Sequence, residues 1–126
     1  MKVEEVMKEA KVVNKNLSIL EASELMTKEG IGSLIIDFEK GDYGIITEKD
    51  ITKAVKDSSK KVSEIAPKGI VTLEKVCTLE EAAATMKEHK IKRLPIVEDK
   101  KVIGIITVTE LIENSKDLNE NDFFIN

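Results

Sequence analysis

Residues 44–50 of this 126-residue chain have the sequence Gly-Ile-Ile-Thr-Glu-Lys-Asp, and residues 104–110 have the sequence Gly-Ile-Ile-Thr-Val-Thr-Glu. Each stretch indicates a buried strand that runs directly into the start of a helix. When residues 12–53 are aligned with residues 72–113, at an offset of 60, 12 of 42 positions are identical. The chain therefore contains two copies of one structural unit.

The same order of elements is predicted in both copies. A short amphipathic lead-in comes first, with apolar residues at Val3, Val6, Met7 and Ala10 in one copy and at Val62, Ile65 and Ala66 in the other. A short strand follows it, at residues 12–13 or 70–73. A helix then opens with a capping box, Ser18 to Glu21 or Thr78 to Glu81, in which a hydroxyl and a carboxylate satisfy free backbone N–H groups. Two strands joined by a polar turn follow, and a last helix ends the unit. The predicted hairpin strands are 31–36 with 43–46 and 91–97 with 102–106, and the last helices are 48–56 and 108–114.

The predicted fold class is α/β (α+β), with two β-α-β-β-α units that we expect to pack with pseudo-two-fold symmetry. Runs such as Leu34-Ile35-Ile36 lack polar alternation, which is typical of strands covered on both faces. We place the first unit at 1–57, a polar linker at 58–61, the second unit at 62–115 and a tail at 116–126.

Composition argues against several classes of protein. The net charge is −4 and aromatic residues make up 3% of the chain, so neither a basic surface nor a stacking platform for nucleic acid is expected. No apolar stretch approaches the roughly 18 residues of a membrane span, and the first residues do not resemble a signal peptide. The single cysteine, Cys77, excludes an internal disulfide. We expect a cytoplasmic protein that contacts no membrane.

Two tandem units of this order, each with a Gly-apolar-apolar-Thr-x-x-acid motif, resemble a pair of CBS domains (a Bateman module). The second unit also has Lys-Arg-Leu-Pro-Ile-Val at residues 92–97, ahead of its hairpin. The resemblance covers roughly residues 1–115. It implies a free-standing regulatory pair that binds an adenosine derivative in clefts between the units, forms a homodimer and signals to a protein partner. It implies no catalytic group, metal or cofactor.

A ligand site at the two motifs also has a physical basis. The free N–H groups and partial positive charge at a helix start attract phosphate, and Thr47 and Thr107 lie at two such starts. Gly44 and Gly104 would let a strand and a ligand approach each other closely. Among the adenosine derivatives that the resemblance implies, the helix starts favour AMP, ADP or ATP over S-adenosylmethionine, and the resemblance then implies a role in sensing cellular energy.

The resemblance implies that Asp50 binds the ribose hydroxyls, that Thr47 faces ribose or phosphate, and that Ile45 lines the adenine pocket. It also implies that this cleft borrows lead-in residues of the other copy. The full set of candidate nucleotide-binding residues is Gly32, Ser33, Ile45, Thr47, Asp50, Ala66, Ile70, Val71, Lys92, Arg93, Ile105, Thr107 and Glu110.

Arg93 is the only arginine beside 19 lysines, which suggests planar, bidentate contact with phosphate, and Lys92 could reach the same groups. A surface ion pair is the alternative for Arg93. Gly32 and Ser33 hold the matching place in the first copy and supply no cation. This asymmetry favours one good site over two.

Other interpretations of the motifs stay open. Thr47 to Asp50 and Thr107 to Glu110 also have capping-box spacing, and the longer Glu110 suits capping better than Asp does. The second cleft is therefore a candidate for a degraded site. A different function, a ligand-free dimerisation module with vestigial clefts, fits the same features.

Three further features are assigned no ligand role. His89 is predicted to be exposed near a helix end, and Cys77 to pack beside the Thr78 cap, because neither has neighbours at metal-ligand or nucleophile spacing. The tail ends in the apolar residues 123–125, which either fold back on the module, seal a dimer contact or dock on a partner.

Overall fold

The structure, a computed structural model, describes residues 1–123 and has the predicted mixed α/β architecture. Each sequence copy forms a three-stranded sheet with two helices. The first set of elements is β1 (Val12–Asn14), α1 (Ile19–Glu29), β2 (Ser33–Glu39), β3 (Asp42–Thr47) and α2 (Glu48–Lys53). The second set is β4 (Leu73–Glu74), α3 (Leu79–His89), β5 (Arg93–Glu98), β6 (Lys101–Thr107) and α4 (Val108–Asn114). Single 3-10 turns cover Val3–Glu5, Val55–Asp57, Val62–Glu64 and Glu120–Asp122.

The central strand of each sheet pairs in parallel with the first strand and antiparallel with the third. The hairpin register is the same in both sheets, because Ile36 lies opposite Gly44 and Ile96 lies opposite Gly104. The predicted hairpins are therefore confirmed, and each motif begins inside the last strand of its sheet.

The chain divides into two compact units. Their boundaries differ from those of the two sequence copies, because each lead-in belongs to the unit of the other copy. One unit, here called the Asp50 unit, is Lys11–Ile70. The other, the Glu110 unit, combines Met1–Ala10 with the chain from Val71 onward. Each lead-in turn thus packs with the sheet of the other copy, whereas the sequence alignment assigns residues 1–57 and 62–115 to single units.

Each unit has its own apolar core. In the Asp50 unit the buried residues of the sheet and of α1 pack with lead-in residues, namely Leu34, Ile36, Ile46, Ala22, Met26, Val62 and Ala66. In the Glu110 unit the corresponding core is Leu94, Ile96, Ile106, Ala82, Met86 and Val3, and Phe123 of the tail joins it. The tail therefore folds back through Phe123, and residues 124–126 lie outside the described part of the chain.

The helix boundaries follow from local backbone chemistry. The Ser18 hydroxyl accepts the Glu21 N–H at 3.0 Å, and the Thr78 hydroxyl accepts the Glu81 N–H at 3.1 Å, which starts α1 and α3 as predicted. Gly30 ends α1 with φ of 63°, in the left-handed region where glycine has no Cβ penalty. Lys90 ends α3 in the same conformation, with φ of 56°.

Helix α2 and strand β4 are shorter than predicted. Helix α2 ends at Lys53 rather than at residue 56, because its last turn tightens and a 3-10 turn follows at Val55–Asp57. Strand β4 has two residues where β1 has three. The Ile35 N–H bonds to the Lys11 carbonyl at 2.8 Å beside β1, and Pro95, at the matching place in β5, has no N–H to donate. Pro95 is buried in the central strand of its sheet.

Candidate functional site

The first motif places a carboxylate directly beside the start of α2. Thr47 is the last residue of β3, and Asp50 lies three residues further on in the first turn of α2. Asp50 Oδ2 accepts the Thr47 N–H at 2.8 Å and the Thr47 hydroxyl at 3.0 Å. The capping contact that the sequence allowed is therefore formed. It uses one carboxylate oxygen only, and within residues 1–123 no hydrogen bond or ion pair engages Asp50 Oδ1.

Asp50 is half-buried and lines an open pocket of about 240 Å³ with Lys53, Ala54, Asp57 and Ile65. Ligand pockets for small molecules are usually about 300 to 1,000 Å³, so this pocket matches only part of a nucleoside. The carboxylate is thus held by Thr47 and still open on one side, as an acceptor for a ligand hydroxyl must be.

Ser33 and Gly32 lie next to this motif in the Asp50 unit. Ser33 pairs with Thr47 across the hairpin, and the Glu48 N–H bonds to the Gly32 carbonyl at 3.2 Å. The start of β2 is therefore fixed beside the start of α2. These two residues bring no positive charge to the motif.

The lead-in residues Ala66 and Ile70 pack against the same strand. The Ile70 N–H lies 3.5 Å from the Tyr43 carbonyl. A Cβ atom placed on Gly44 would lie 3.5 Å from Ala66 Cβ and 2.8 Å from the Pro67 carbonyl oxygen. Gly44 is therefore required by the close approach of the lead-in backbone. Ile45, which pairs with Ile35, is half-buried.

The second motif has the same donors and a different acid. Glu110 Oε1 accepts the Thr107 N–H at 2.7 Å and the Thr107 hydroxyl at 2.8 Å. Glu110 is 3% exposed, and its Oε2 forms an ion pair with Lys8 Nζ at 2.9 Å. The hydrogen bond and the charge of Glu110 raise the pKa of Lys8 above its ordinary value. Thr107 therefore holds Oε1 by two hydrogen bonds, and Lys8 holds Oε2 by an ion pair with no further donor on that oxygen in residues 1–123.

The remaining candidate residues also belong to the Glu110 unit. Arg93 begins β5 and pairs with Thr107, and the Val108 N–H bonds to the Lys92 carbonyl at 3.2 Å. The guanidinium of Arg93 is half-buried, and over residues 1–123 it has no acidic partner, so the predicted alternative of an ion pair is not formed there. Ile105 is buried, and Val71 packs on the core of this unit rather than on that of Asp50.

His89 and Cys77 lie at the positions predicted for them, near a helix end and beside the Thr78 cap. His89 is the exposed last residue of α3, and Cys77 precedes the Thr78 cap. Burial raises the pKa of the Cys77 thiol, and Glu81 adds to this effect. No group of three or more metal-ligating side chains occurs in the described chain, and none of its helices has the length and apolarity needed to span a membrane.

Sequence reasoning missed two lead-in residues, Lys8 and Pro67. Lys8 exchanges backbone hydrogen bonds with Ile105, at 2.8 and 2.9 Å, and its carbonyl lies beside Gly104. Pro67 holds the matching place beside Gly44. An alignment of the two lead-ins, Val3 with Val62, would have paired these residues, but it gives no indication that Lys8 reaches Glu110.

The CBS domain model matches the chain twice, at residues 3–57 and 62–117. Among curated proteins, the chain is 35% identical over 115 residues to inosine-5′-monophosphate dehydrogenase of Methanocaldococcus jannaschii. That match covers 90% of this chain and 23% of the dehydrogenase, so the chain spans less than a quarter of this relative.

Solved structures agree with this match. The CBS domain pair of protein MJ0100, in complex with 5′-methylthioadenosine and S-adenosyl-L-methionine, superposes with a TM-score of 0.78 at 30% identity, covering 90% of this chain and 98% of that chain. A hexameric CBS-CP12 protein from bloom-forming cyanobacteria superposes with a TM-score of 0.81 at 26% identity, covering 92% of this chain and 72% of that chain.

Proposed function

The chain belongs to the CBS domain family, and we propose that it is a regulatory module that binds an adenosine nucleotide at the Asp50 motif and signals to a partner protein. The observation that carries the proposal is the state of the Asp50 carboxylate. Thr47 fixes one of its oxygens, and the other is engaged by no described residue. A carboxylate in this state can accept the two hydroxyls of a ribose.

A solved relative supports an adenosine derivative as the ligand. The MJ0100 domain pair was crystallised with two adenosine derivatives and is matched over nearly its whole length. For this chain we propose AMP, ADP or ATP over S-adenosylmethionine, because Arg93 presents a guanidinium that no acid neutralises in the described chain. An arginine in this state favours a phosphate group.

Regulation requires that the ligand distinguish two states of the protein. The strength of the signal is limited by the difference in ligand affinity between those states. We propose a homodimer as the signalling form and a separate protein as the reader, and we propose no catalytic role. Light scattering at micromolar concentration tests the dimer, which is wrong if the chain is monomeric.

A ligand-free interaction module is the second candidate function, and the Glu110 motif favours it. Its carboxylate is buried and ion-paired with Lys8, so one of the two motifs is already without a free acceptor. The hexameric CBS-CP12 relative is an assembled protein of the same fold. Under this function no adenosine compound would bind.

A thermal-shift screen with AMP, ADP, ATP and S-adenosylmethionine separates the two functions. A ligand at a hundred times its dissociation constant stabilises the folded chain by about 2.7 kcal/mol, a shift of several degrees for a chain of this length. Asp50→Asn, with an affinity about 10-fold to 100-fold lower, should reduce the stabilisation to about 1.4 kcal/mol or less. Glu48→Gln, which neutralises an exposed carboxylate of the same helix, should preserve it. An equal shift in wild type and Asp50→Asn would contradict the site, and no shift with any compound would favour the interaction module.

A further inference from the structure

The two motifs have the same framework, so their differences can be compared atom by atom. In each, a threonine N–H and hydroxyl donate to one oxygen of the acid three residues later, at 2.8 and 3.0 Å for Asp50 and at 2.7 and 2.8 Å for Glu110. The difference lies at the second carboxylate oxygen. No described residue engages Asp50 Oδ1, whereas Glu110 Oε2 is paired with Lys8.

The lead-in segments explain why only one motif meets a cation. Met7 and the Lys8 carbonyl lie against Gly104, and Ala66 and the Pro67 carbonyl lie against Gly44. Lys8 therefore occupies in the Glu110 unit the place that Pro67 occupies in the Asp50 unit. Proline has no charged group to offer, so the lead-in leaves Asp50 without a counter-ion.

The backbone holds Lys8 where its side chain can reach the acid. The Lys8 N–H bonds to the Ile105 carbonyl at 2.8 Å, and the Ile105 N–H bonds to the Lys8 carbonyl at 2.9 Å. Glu, one methylene longer than Asp, extends to Nζ at 2.9 Å. Glu110 is 3% exposed and the Lys8 side chain is 61% exposed, so removal of Lys8 would leave a buried carboxylate without the cation that covers it.

We infer that Lys8 closes the Glu110 motif to ligand and so restricts the chain to one nucleoside site, at Asp50. The inference rests on the proposed function and adds a residue that determines which motif binds. A ribose at the second motif would have to displace a backbone-anchored lysine from a buried carboxylate. A ribose at Asp50 meets an oxygen with no competing donor in the described chain.

Calorimetric titration with ATP measures the number of sites per chain. Wild type should bind one ATP, and Asp50→Asn should lower the affinity by about 10-fold to 100-fold and leave no second site, since a hydrogen bond to a charged group contributes about 1.5 to 3 kcal/mol. Lys8→Met combined with Glu110→Asp removes the cation and shortens the acid to match Asp50, and should bind two. Lys11→Met, which removes an exposed lysine paired with Glu29, is the matched control and should bind one.

The possible failures can be told apart. Two ATP per wild-type chain, or one ATP retained at unchanged affinity by Asp50→Asn, would show an open Glu110 motif; the inference would then be wrong while nucleotide binding stands. A folded double variant that still binds one ATP would show that Lys8 does not close the motif. Absence of binding to wild type by ATP, AMP and S-adenosylmethionine would overturn the proposed function and the inference with it. The Asp50→Asn result tests the restriction to one site even if the double variant does not fold.

Discussion

Lys8 Nζ lies 2.9 Å from Glu110 Oε2, although nearly the whole chain separates the two residues in sequence. The pair joins the first residues of the protein to its last named helix, α4. It also distinguishes two motifs that otherwise have the same backbone and the same threonine donors. The asymmetry between the two carboxylates is thus located in one side-chain contact.

The Lys8–Glu110 pair predicts that the free energy of unfolding falls at alkaline pH, where Lys8 loses its proton. Glu110 raises the pKa of Lys8 in the folded chain above the pKa of about 10.4 that lysine has in an unfolded chain. The contribution of Lys8 to stability is therefore fully present below about pH 10.4 and is lost as the pH rises through the higher pKa of the folded chain. Urea unfolding of wild type and Lys8→Met should give a stability difference that is present at about pH 9 and shrinks above about pH 10.4. A difference that disappears between pH 6 and pH 8 would contradict this assignment.

Gly44→Ala should destabilise the chain by about 1 to 3 kcal/mol, the usual cost of overpacking. The new Cβ would lie 2.8 Å from the Pro67 carbonyl oxygen and 2.6 Å from Phe38 Cε2. Gly104→Ala is the matched comparison and should cost less, because its closest contacts are to the flexible end of Met7. Urea denaturation of both variants measures which substitution lowers the free energy of unfolding more. Equal stability of Gly44→Ala and wild type would show that the lead-in does not pack on β3 as described.

Phe123→Ala should lower the free energy of unfolding by about 3 kcal/mol, as expected for truncation of a buried phenylalanine. Phe123 is 4% exposed within the core of the Glu110 unit, and Lys87 Nζ lies 5.6 Å from its ring centre. Val55→Ala is the control, because Val55 is 67% exposed and should contribute little. If both variants unfold at the same urea concentration as wild type, the tail does not contribute to the core.

Arg93→Gln should weaken ATP binding by about 10-fold to 100-fold and leave adenosine binding nearly unchanged, because the charge-assisted hydrogen bonds to phosphate are lost. Lys100→Gln removes the same charge from the turn before β6 and should change neither affinity. Fluorescence competition with both ligands measures the two values. A parallel loss for ATP and adenosine would indicate that Arg93 supports the fold rather than the phosphate contact.

Much of the fold could be predicted from local sequence. The Gly-Ile-Ile-Thr repeats, the Ser18 and Thr78 caps and the apolar periodicity decide the strands and helices at short range, and those elements are confirmed. The exchange of lead-ins between units could not be predicted from residue patterns, because Val3 and Val62 look alike and nothing local says which sheet each one covers.

The candidate site likewise has one part that local sequence predicts and another part that it does not. The motifs themselves, with Thr47, Asp50, Thr107 and Glu110, could be predicted because their spacing is local to one strand–helix junction. The contact from Lys8 to Glu110 depends on where a distant lead-in packs, and on the length of two side chains. The length of Glu110 suggested a degraded second motif, but only the structure shows what engages its carboxylate.

The most direct test of a single ATP site at Asp50 is an NMR titration of the ¹⁵N-labelled chain with ATP, with the backbone amides assigned. We expect large shifts at the Thr47 and Asp50 amides that saturate at one ATP per chain, while the Glu110 amide, whose side chain is ion-paired with Lys8, changes little. Shifts of equal size and equal midpoint at both motifs would contradict the single site. Shifts at Thr107 and Glu110 alone would contradict the assignment of the ligand to Asp50.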